Sequence, residues 1–131
     1  LSAAFPDLFG GLEFLLSGLT VAGEFYRPGY SEPFPFHVAP NGLVVALLHL
    51  TAAAGAPKGG FLAIDEAENA LHPYAIRQLM KALRHWADKN ELTIALATHS
   101  PVVLDEFDQA PDQLFVMQPD RPTRPSRMTD L

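Results

Sequence analysis

Two short apolar runs in the middle of the chain enclose a segment whose apolar residues recur at helical spacing. The runs are residues 61–64 (FLAI) and 92–97 (LTIALA), and such unbroken runs are typical of strands buried on both faces. Between them, residues 73–90 predict an amphipathic helix that begins with Pro73. Its apolar stripe consists of Ile76, Leu79, Met80, Leu83 and Trp86. Strand, helix and strand in this order predict a βαβ unit with parallel strands and a right-handed crossover.

The chain before this unit is less regular. Residues 43–55 are apolar on nearly every face and predict a buried helix, with Asn41 as its N-cap and Gly55 as the residue after its end. Residues 1–20 mix apolar residues with Gly and Pro, which favours one or two short helices. Residues 21–40 contain several prolines and aromatic residues, and predict irregular strands or a hairpin at a sheet edge.

Shorter elements follow the unit. Ser100 and Pro101 predict the N-cap and first residue of a helix that extends to about Phe107. Residues 113–118 predict a third strand, and the Pro- and Arg-rich tail predicts an edge strand or a loose end. The whole chain is thus expected to form one α/β lobe. Its parts are a helical and edge-strand region at residues 1–37, a core at residues 38–118 and a tail at residues 119–131.

Composition narrows the class of protein. A length of 131 residues is enough for one domain with one core. The net charge of -6 gives no overall attraction to nucleic acid, and the lack of cysteine excludes disulfides and thiolate metal sites. No apolar run has the length of a membrane span, and no basic segment precedes an apolar one as in a secretory signal. We therefore expect a cytoplasmic protein without a membrane partner. A first residue of Leu1 rather than Met suggests a processed product or an excised fragment.

Charged and polar residues stand where the two predicted strands end. Asp65 and Glu66 follow the first strand, with Glu68 close behind, and His99 follows the second. Because neighbouring parallel strands end at the same edge of a sheet, these side chains should lie close together. An apolar strand that ends in Asp-Glu is the Walker B pattern, in which the Asp holds Mg²⁺ and the Glu orients or deprotonates a water. By itself, such a pair is also typical of a solvated helix N-terminus.

Two longer sequence segments extend the Walker B pattern. FLAIDEAENALHP (residues 61–73) resembles the Walker B motif and D-loop of ABC-type ATPases of the RecF, SMC and OLD group, within the AAA family. ATHSPVVLDEF (residues 97–107) resembles the H-loop of the same group. The resemblance implies the C-terminal half of an ABC-type ATPase domain: a three-layer, P-loop NTPase-like lobe with a mostly parallel sheet flanked by helices.

The resemblance also implies roles for single residues by their position in the motifs. Asp65 would bind Mg²⁺, Glu66 would be the catalytic base, and His99 would be the switch histidine beside the γ-phosphate of ATP. Asn69 would lie in the D-loop, which touches the opposing subunit of a homodimer. Asn41 and Gly42 would open the signature helix, whose amides could face a phosphate.

The chain departs from the family pattern at three places. Ala67 stands where a proline is usual, which should matter little. Pro40 replaces the serine of the signature motif and lacks an N–H, so contacts with ATP across a dimer should be weaker or built differently. No G-x-x-x-x-G-K-[ST] motif occurs, so the chain has no cradle for the phosphates. The resemblance therefore implies an N-terminal P-loop lobe, elsewhere in the same protein or on another chain, and little ATP hydrolysis by this chain alone.

Three functions are compatible with these residues, and the first is the one that the family resemblance implies. The first is an ATP-binding and ATP-hydrolysing lobe in a protein of DNA repair, chromosome maintenance or phage defence, with nucleic acid open as a partner of the complete protein. The second is a catalytically degenerate module for dimerisation or partner binding, which Pro40 and the missing P-loop favour. The third is a metal-dependent nuclease that uses Asp65, Glu66 and Glu68. It is disfavoured because one carboxylate cluster offers no second metal platform.

Overall fold

The computed structural model describes Pro6, residues 9–118 and residues 121–130, and in them helices alternate with small sheets. The strands of the described residues are β1 (Gly11–Ser17), β2 (Thr20–Tyr26), β3 (Phe34–Pro35), β4 (Phe61–Asp65), β5 (Thr93–Ala97), β6 (Phe115–Gln118) and β7 (Arg121–Arg127). Their α-helices are α1 (Asn41–Gly55), α2 (Pro73–Asn90) and α3 (Pro101–Asp105). Short 3₁₀ turns cover Phe36–Val38, Pro111–Gln113 and Met128–Asp130. The fold class is mixed α/β, as the sequence predicts.

The predicted βαβ unit is confirmed. β4 and β5 pair in parallel, from Phe61 opposite Thr93 to Asp65 opposite Ala97. The crossover helix α2 has Pro73 as its first residue, where the missing N–H costs nothing. His72 is its N-cap, and the Nδ1 atom of His72 accepts a hydrogen bond of 3.3 Å from the amide of Tyr74.

The core lies between the helices and one face of this parallel pair. α1 contributes Ala46, Leu50 and Ala53, and α2 contributes Ile76, Leu79, Met80 and Leu83, all of them buried. Ile64 of β4 and Val103 of α3 belong to the same buried core. The apolar stripe predicted for α2 is thus the surface that it buries, with Trp86 partly buried at its end.

The prediction that both strands are buried on both faces is wrong for the described part of the chain. Residues of β4 and β5 alternate between the two faces of the sheet, and Phe61 is 67% exposed. Ala63 and Ala95 share that open face. A strand face is buried only where another element packs on it, and α1 and α2 pack on the opposite face.

The predicted three-layer, mostly parallel sheet is not confirmed. Among the described residues the parallel sheet has two strands, β4 and β5. The predicted third strand exists as β6, but it pairs antiparallel with β7. β7 bears out the prediction of an edge strand for the tail.

The prediction of short helices within residues 1–20 is wrong where the structure describes them, and residues 1–5, 7 and 8 lie outside the described part. β1 and β2 form an antiparallel hairpin with Ser17 opposite Thr20. Gly18 opens the two-residue loop at φ 61°, a conformation that hairpin loops need and that glycine adopts without strain. β3 forms an edge of the same sheet, as the prolines of residues 21–40 predict.

Cap positions shift by one residue from those predicted for α1. Pro40, at φ -56° and ψ 136°, is the N-cap, so Asn41 is the first helical residue and Gly55 the last. The extended backbone of Pro40 explains the shift, because an N-cap residue lies outside helical geometry. Ser100 is the N-cap of α3 as predicted, but the helix ends at Asp105 rather than near Phe107. No described helix is long and apolar enough to span a bilayer.

Candidate functional site

The ends of β4 and β5 bring two of the predicted motifs to one edge of the sheet. Asp65 is the last residue of β4 and pairs with Ala97, the last residue of β5. The amide of Glu66 then donates a hydrogen bond of 2.9 Å to the carbonyl oxygen of Ala97, which extends the ladder by one bond. The two loops that follow therefore start side by side.

Glu66 and His99 meet at this edge. The Nδ1 atom of His99 lies 3.6 Å from Oε1 of Glu66, and their side chains are 81% and 51% exposed, respectively. The distance exceeds that of a good hydrogen bond, and the pair becomes an ion pair only when the imidazole is protonated. Since exposed ion pairs contribute little to stability, this contact adds little to the free energy of unfolding, and both side chains stay accessible to solvent.

The turn that carries Glu66 is tight and partly strained. Glu66 and Ala70 have φ values of 49° and 60°, in the left-handed region that side chains rarely adopt. The amide of Asn69 donates to the carbonyl oxygen of Glu66 at 2.9 Å, and that of Leu71 donates to the carbonyl oxygen of Glu68 at 3.0 Å. Ala67, only 2% exposed, anchors the turn in the core. A strained turn held by packing and hydrogen bonds is typical of functional loops.

The candidate nucleotide-binding residues lie around the same turn. Gly42 packs against it so closely that an added Cβ would come within 2.7 Å of the carbonyl oxygen of Ala70. The side chain of Asn41 is exposed at the start of α1, and that of Asn69 is exposed in the turn. Gly42 is thus needed for the close packing of α1 against the turn, independently of any ligand.

Glu68 and Thr98 form a contact that the sequence pattern does not predict, although the pattern places Glu68 close behind Asp65 and Glu66. The hydroxyl of Thr98 donates to Oε1 of Glu68 at 2.5 Å, and the amide of Ser100 donates to Oγ1 of Thr98 at 3.0 Å. Oε2 of Glu68 is buried and has no hydrogen-bond partner among the described residues. The signal available in the sequence was position alone: Thr98 directly precedes His99, and Glu68 follows Glu66 by two residues.

The donor set fits a partial Mg²⁺ site. No group of three or more histidines and carboxylates within the described residues could hold a metal on its own. Asp65 nevertheless offers an exposed carboxylate at the strand end. Mg²⁺ is commonly held by one or two carboxylates together with water and substrate phosphates, so an incomplete protein shell is compatible with this ion. The same observation speaks against a nuclease centre built from Asp65, Glu66 and Glu68 alone.

A cavity of about 400 Å³ lies beside the turn, between β2, β3, the start of α1 and residues 70–72. Its lining is mostly apolar, with Arg27 and His72 as its ionisable members. None of Asp65, Glu66 and His99 lines this cavity. The candidate catalytic residues therefore lie at the edge of the sheet and outside this cavity.

Residues 12–105 match the model of the family described as "AAA domain, putative AbiEii toxin, Type IV TA system". The match covers well over half of the chain and includes both strand ends and the turn between them. The chain belongs to this AAA family. Membership supports a nucleotide-binding, ATPase-like domain, of a type that generally uses Mg²⁺ with the nucleotide. The family match does not assign the chain to the RecF, SMC and OLD group. No curated protein and no solved structure matches the chain.

Proposed function

We propose that this chain is the C-terminal lobe of an ABC-type ATPase of the RecF, SMC and OLD group. In this proposal it supplies the Walker B carboxylates, the D-loop and the switch histidine to a nucleotide site that a P-loop half completes. The observation that carries the proposal is the meeting of Asp65, Glu66 and His99 at one edge of the sheet, with His99 only 3.6 Å from Glu66.

Each residue at the edge has a separate task in this proposal. Asp65 holds Mg²⁺, which would neutralise charge on the phosphates of ATP. Glu66 accepts a proton from the attacking water, for which its half-exposed carboxylate is open to solvent. His99 donates a hydrogen bond to the γ-phosphate. Asn69 contacts the opposing subunit from the D-loop, and the start of α1, at Asn41 and Gly42, faces a phosphate.

Two features support a partner half. The chain lacks the glycine-rich phosphate loop and its lysine, without which the β- and γ-phosphates have no cradle. One face of the β4–β5 pair is open, with Phe61 and Ala63 exposed, whereas parallel sheets of α/β proteins are covered on both faces. We infer that an N-terminal P-loop lobe, in the same protein or in another chain, covers this face and yields the three-layer domain.

The assembly that we propose is an ATP-dependent homodimer in a protein of the DNA-repair or phage-defence kind, in which nucleic acid is contacted through the complete protein. Pro40 offers no N–H at the signature position, so the contact with ATP across the dimer has to come from other groups of the signature segment.

The test is Glu66→Gln in the complete ATPase, with Glu91→Gln as the matched control. The amide cannot accept the proton of the attacking water, so ATP binding should persist while turnover is lost. Glu91 follows α2 and forms an exposed ion pair with Lys58, and its substitution should leave turnover unchanged. Measurement of bound nucleotide and of phosphate release separates the two steps. Normal turnover of the Glu66 variant would contradict the proposal.

The second candidate is a catalytically degenerate module for dimerisation or partner binding. The exposed apolar side chains of the β1–β2 hairpin favour it, among them Phe14, Leu16 and Leu19. This module would dimerise without nucleotide, and Asp65→Ala would leave its association unchanged. Sedimentation of the parent and the variant, with and without Mg²⁺ and ATP, distinguishes the two candidates.

A further inference from the structure

We propose that Glu68 is a positioning residue, which acts through Thr98 to hold His99 in place opposite Glu66. Its catalytic consequence rests on the proposed ATPase function, whereas the contact itself belongs to the fold. Glu68 lies in the turn after β4, and Thr98 lies in the loop after β5, thirty residues further along the chain. Their hydrogen bond therefore joins the two loops that carry the proposed catalytic groups.

The hydroxyl of Thr98 is used twice. It donates its single hydrogen to Glu68 and accepts a hydrogen from the amide of Ser100. With both bonds made, the side chain of Thr98 has one preferred rotamer. The bond from the amide of Ser100 to Oγ1 of Thr98 also spans His99 and restricts the backbone of residues 98–100. The backbone position of His99, from which the imidazole projects, thus depends on the carboxylate of Glu68.

Stability alone does not explain this carboxylate. Its Oε2 atom is buried without a partner among the described residues, an arrangement that costs free energy. The turn around it also contains two residues in left-handed backbone conformations, Glu66 and Ala70. Strain and unpaired polar atoms that persist in a native fold are typical of sites where position matters more than stability.

The pair of Glu66 and His99 needs such support. Both side chains are largely open to solvent, and at 3.6 Å their contact is too long and too exposed to fix either of them. Catalytic groups lose on the order of 100-fold in rate when they are misplaced by about 1 Å. The partly buried contact between Glu68 and Thr98 constrains the residue that directly precedes His99.

The first experiment measures the contact without any turnover. Amide hydrogen exchange of Ser100 is followed by NMR in this chain, for the parent and for Glu68→Leu, Glu68→Gln and Thr98→Ser. In Glu68→Leu the Ser100 amide should exchange about tenfold faster, as expected for one weakened hydrogen bond, and the ring signals of His99 should shift. Thr98→Ser keeps the hydroxyl, and Glu68→Gln keeps an acceptor, so both should stay close to the parent. Unchanged exchange and unchanged ring signals in Glu68→Leu would overturn the proposal.

The second experiment measures turnover in the complete ATPase. Thr98→Val removes the hydroxyl and keeps the shape, so the fold should survive. We expect kcat to fall about 10- to 100-fold with the KM for ATP within about twofold of the parent, because position and not binding is lost. Thr98→Ser should restore kcat. Glu68→Leu combined with Thr98→Val should be no slower than Thr98→Val alone, since the valine already breaks the contact with Glu68.

The outcomes separate the two proposals. If the parent enzyme does not hydrolyse ATP, the proposed function fails and the positioning role falls with it, while Ser100 exchange still decides whether the contact exists. If the parent is active and the variants lose affinity for ATP rather than kcat, or if the two substitutions are additive, the positioning role is overturned and the proposed function stands.

Discussion

Replacement of Gly42 by alanine tests how α1 meets the turn after β4. A Cβ at this position would lie 2.7 Å from the carbonyl oxygen of Ala70 and 3.0 Å from Cδ2 of Leu71. The leucine can rotate, but the carbonyl belongs to a backbone held at a φ of 60° and cannot retreat cheaply. Overpacking of this kind costs about 1–3 kcal/mol, and alanine recovers up to about 1 kcal/mol of helix propensity. Subtraction of about 1 kcal/mol of helix propensity from the cost of overpacking leaves a net loss of about 0–2 kcal/mol.

The matched control is Gly55→Ala in the same helix. Nothing lies within 4 Å of a Cβ at this position, so stability should stay unchanged or rise by up to about 1 kcal/mol. Urea unfolding followed by far-UV circular dichroism gives both free energies of unfolding. If Gly42→Ala is as stable as Gly55→Ala, the close packing is not what requires glycine, and a role toward a phosphate would be the better explanation.

Three further predictions concern buried and partly buried side chains in or next to the helices. Burial lowers the pKa of His49 in the folded chain below its ordinary value of 6.5. At pH values between the folded pKa and 6.5, the unfolded chain therefore binds more protons than the folded chain. The corresponding stability is full above about pH 6.5 and is lost as the pH falls through the folded pKa, and His49→Gln should flatten this part of a pH series of urea midpoints. Leu79→Ala, at a fully buried position, should lower the free energy of unfolding by about 2–5 kcal/mol, whereas Leu48→Ala, 64% exposed, should change it by less than about 1 kcal/mol in the same assay. The side chain of Glu106 is 13% exposed and accepts hydrogen bonds from two arginines of α2. Glu106→Gln should therefore lower the free energy of unfolding by about 1–3 kcal/mol. A decrease in melting temperature no larger than that of Glu91→Gln, which removes one charge of an exposed ion pair, would refute this prediction.

The local sequence pattern was sufficient to predict the secondary structure at the centre of the chain. The unbroken run that begins at Phe61, the helical stripe through Leu79 and the proline at position 73 are short-range signals, and the structure places a strand and a helix on them. The meeting of Asp65 with the residues after Ala97 also followed from pattern, because parallel neighbours end at the same edge. Family membership then agreed with the ATPase type that these motifs indicate.

Pattern failed where distant parts of the chain decide the conformation. The hairpin at residues 11–26 depends on the pairing of two strands across Gly18, and apolar residues mixed with glycine carry no clear period. The exposure of Phe61 depends on which elements pack on its face, a property of the whole assembly. The shift of the cap from Asn41 to Pro40 is a local exception, because it follows from the extended backbone of Pro40 alone.

By itself, the sequence determined the order of the central strands and helix, and placed two carboxylates and a histidine at the ends of neighbouring strands. Only the tertiary structure decided that Glu68 reaches Thr98 and that Gly42 lies against Ala70. Periodicity and motif spacing report on contacts within an element or between regular neighbours. Contacts between two loops, or between a helix end and a turn, arise from packing in three dimensions and leave no period in the chain.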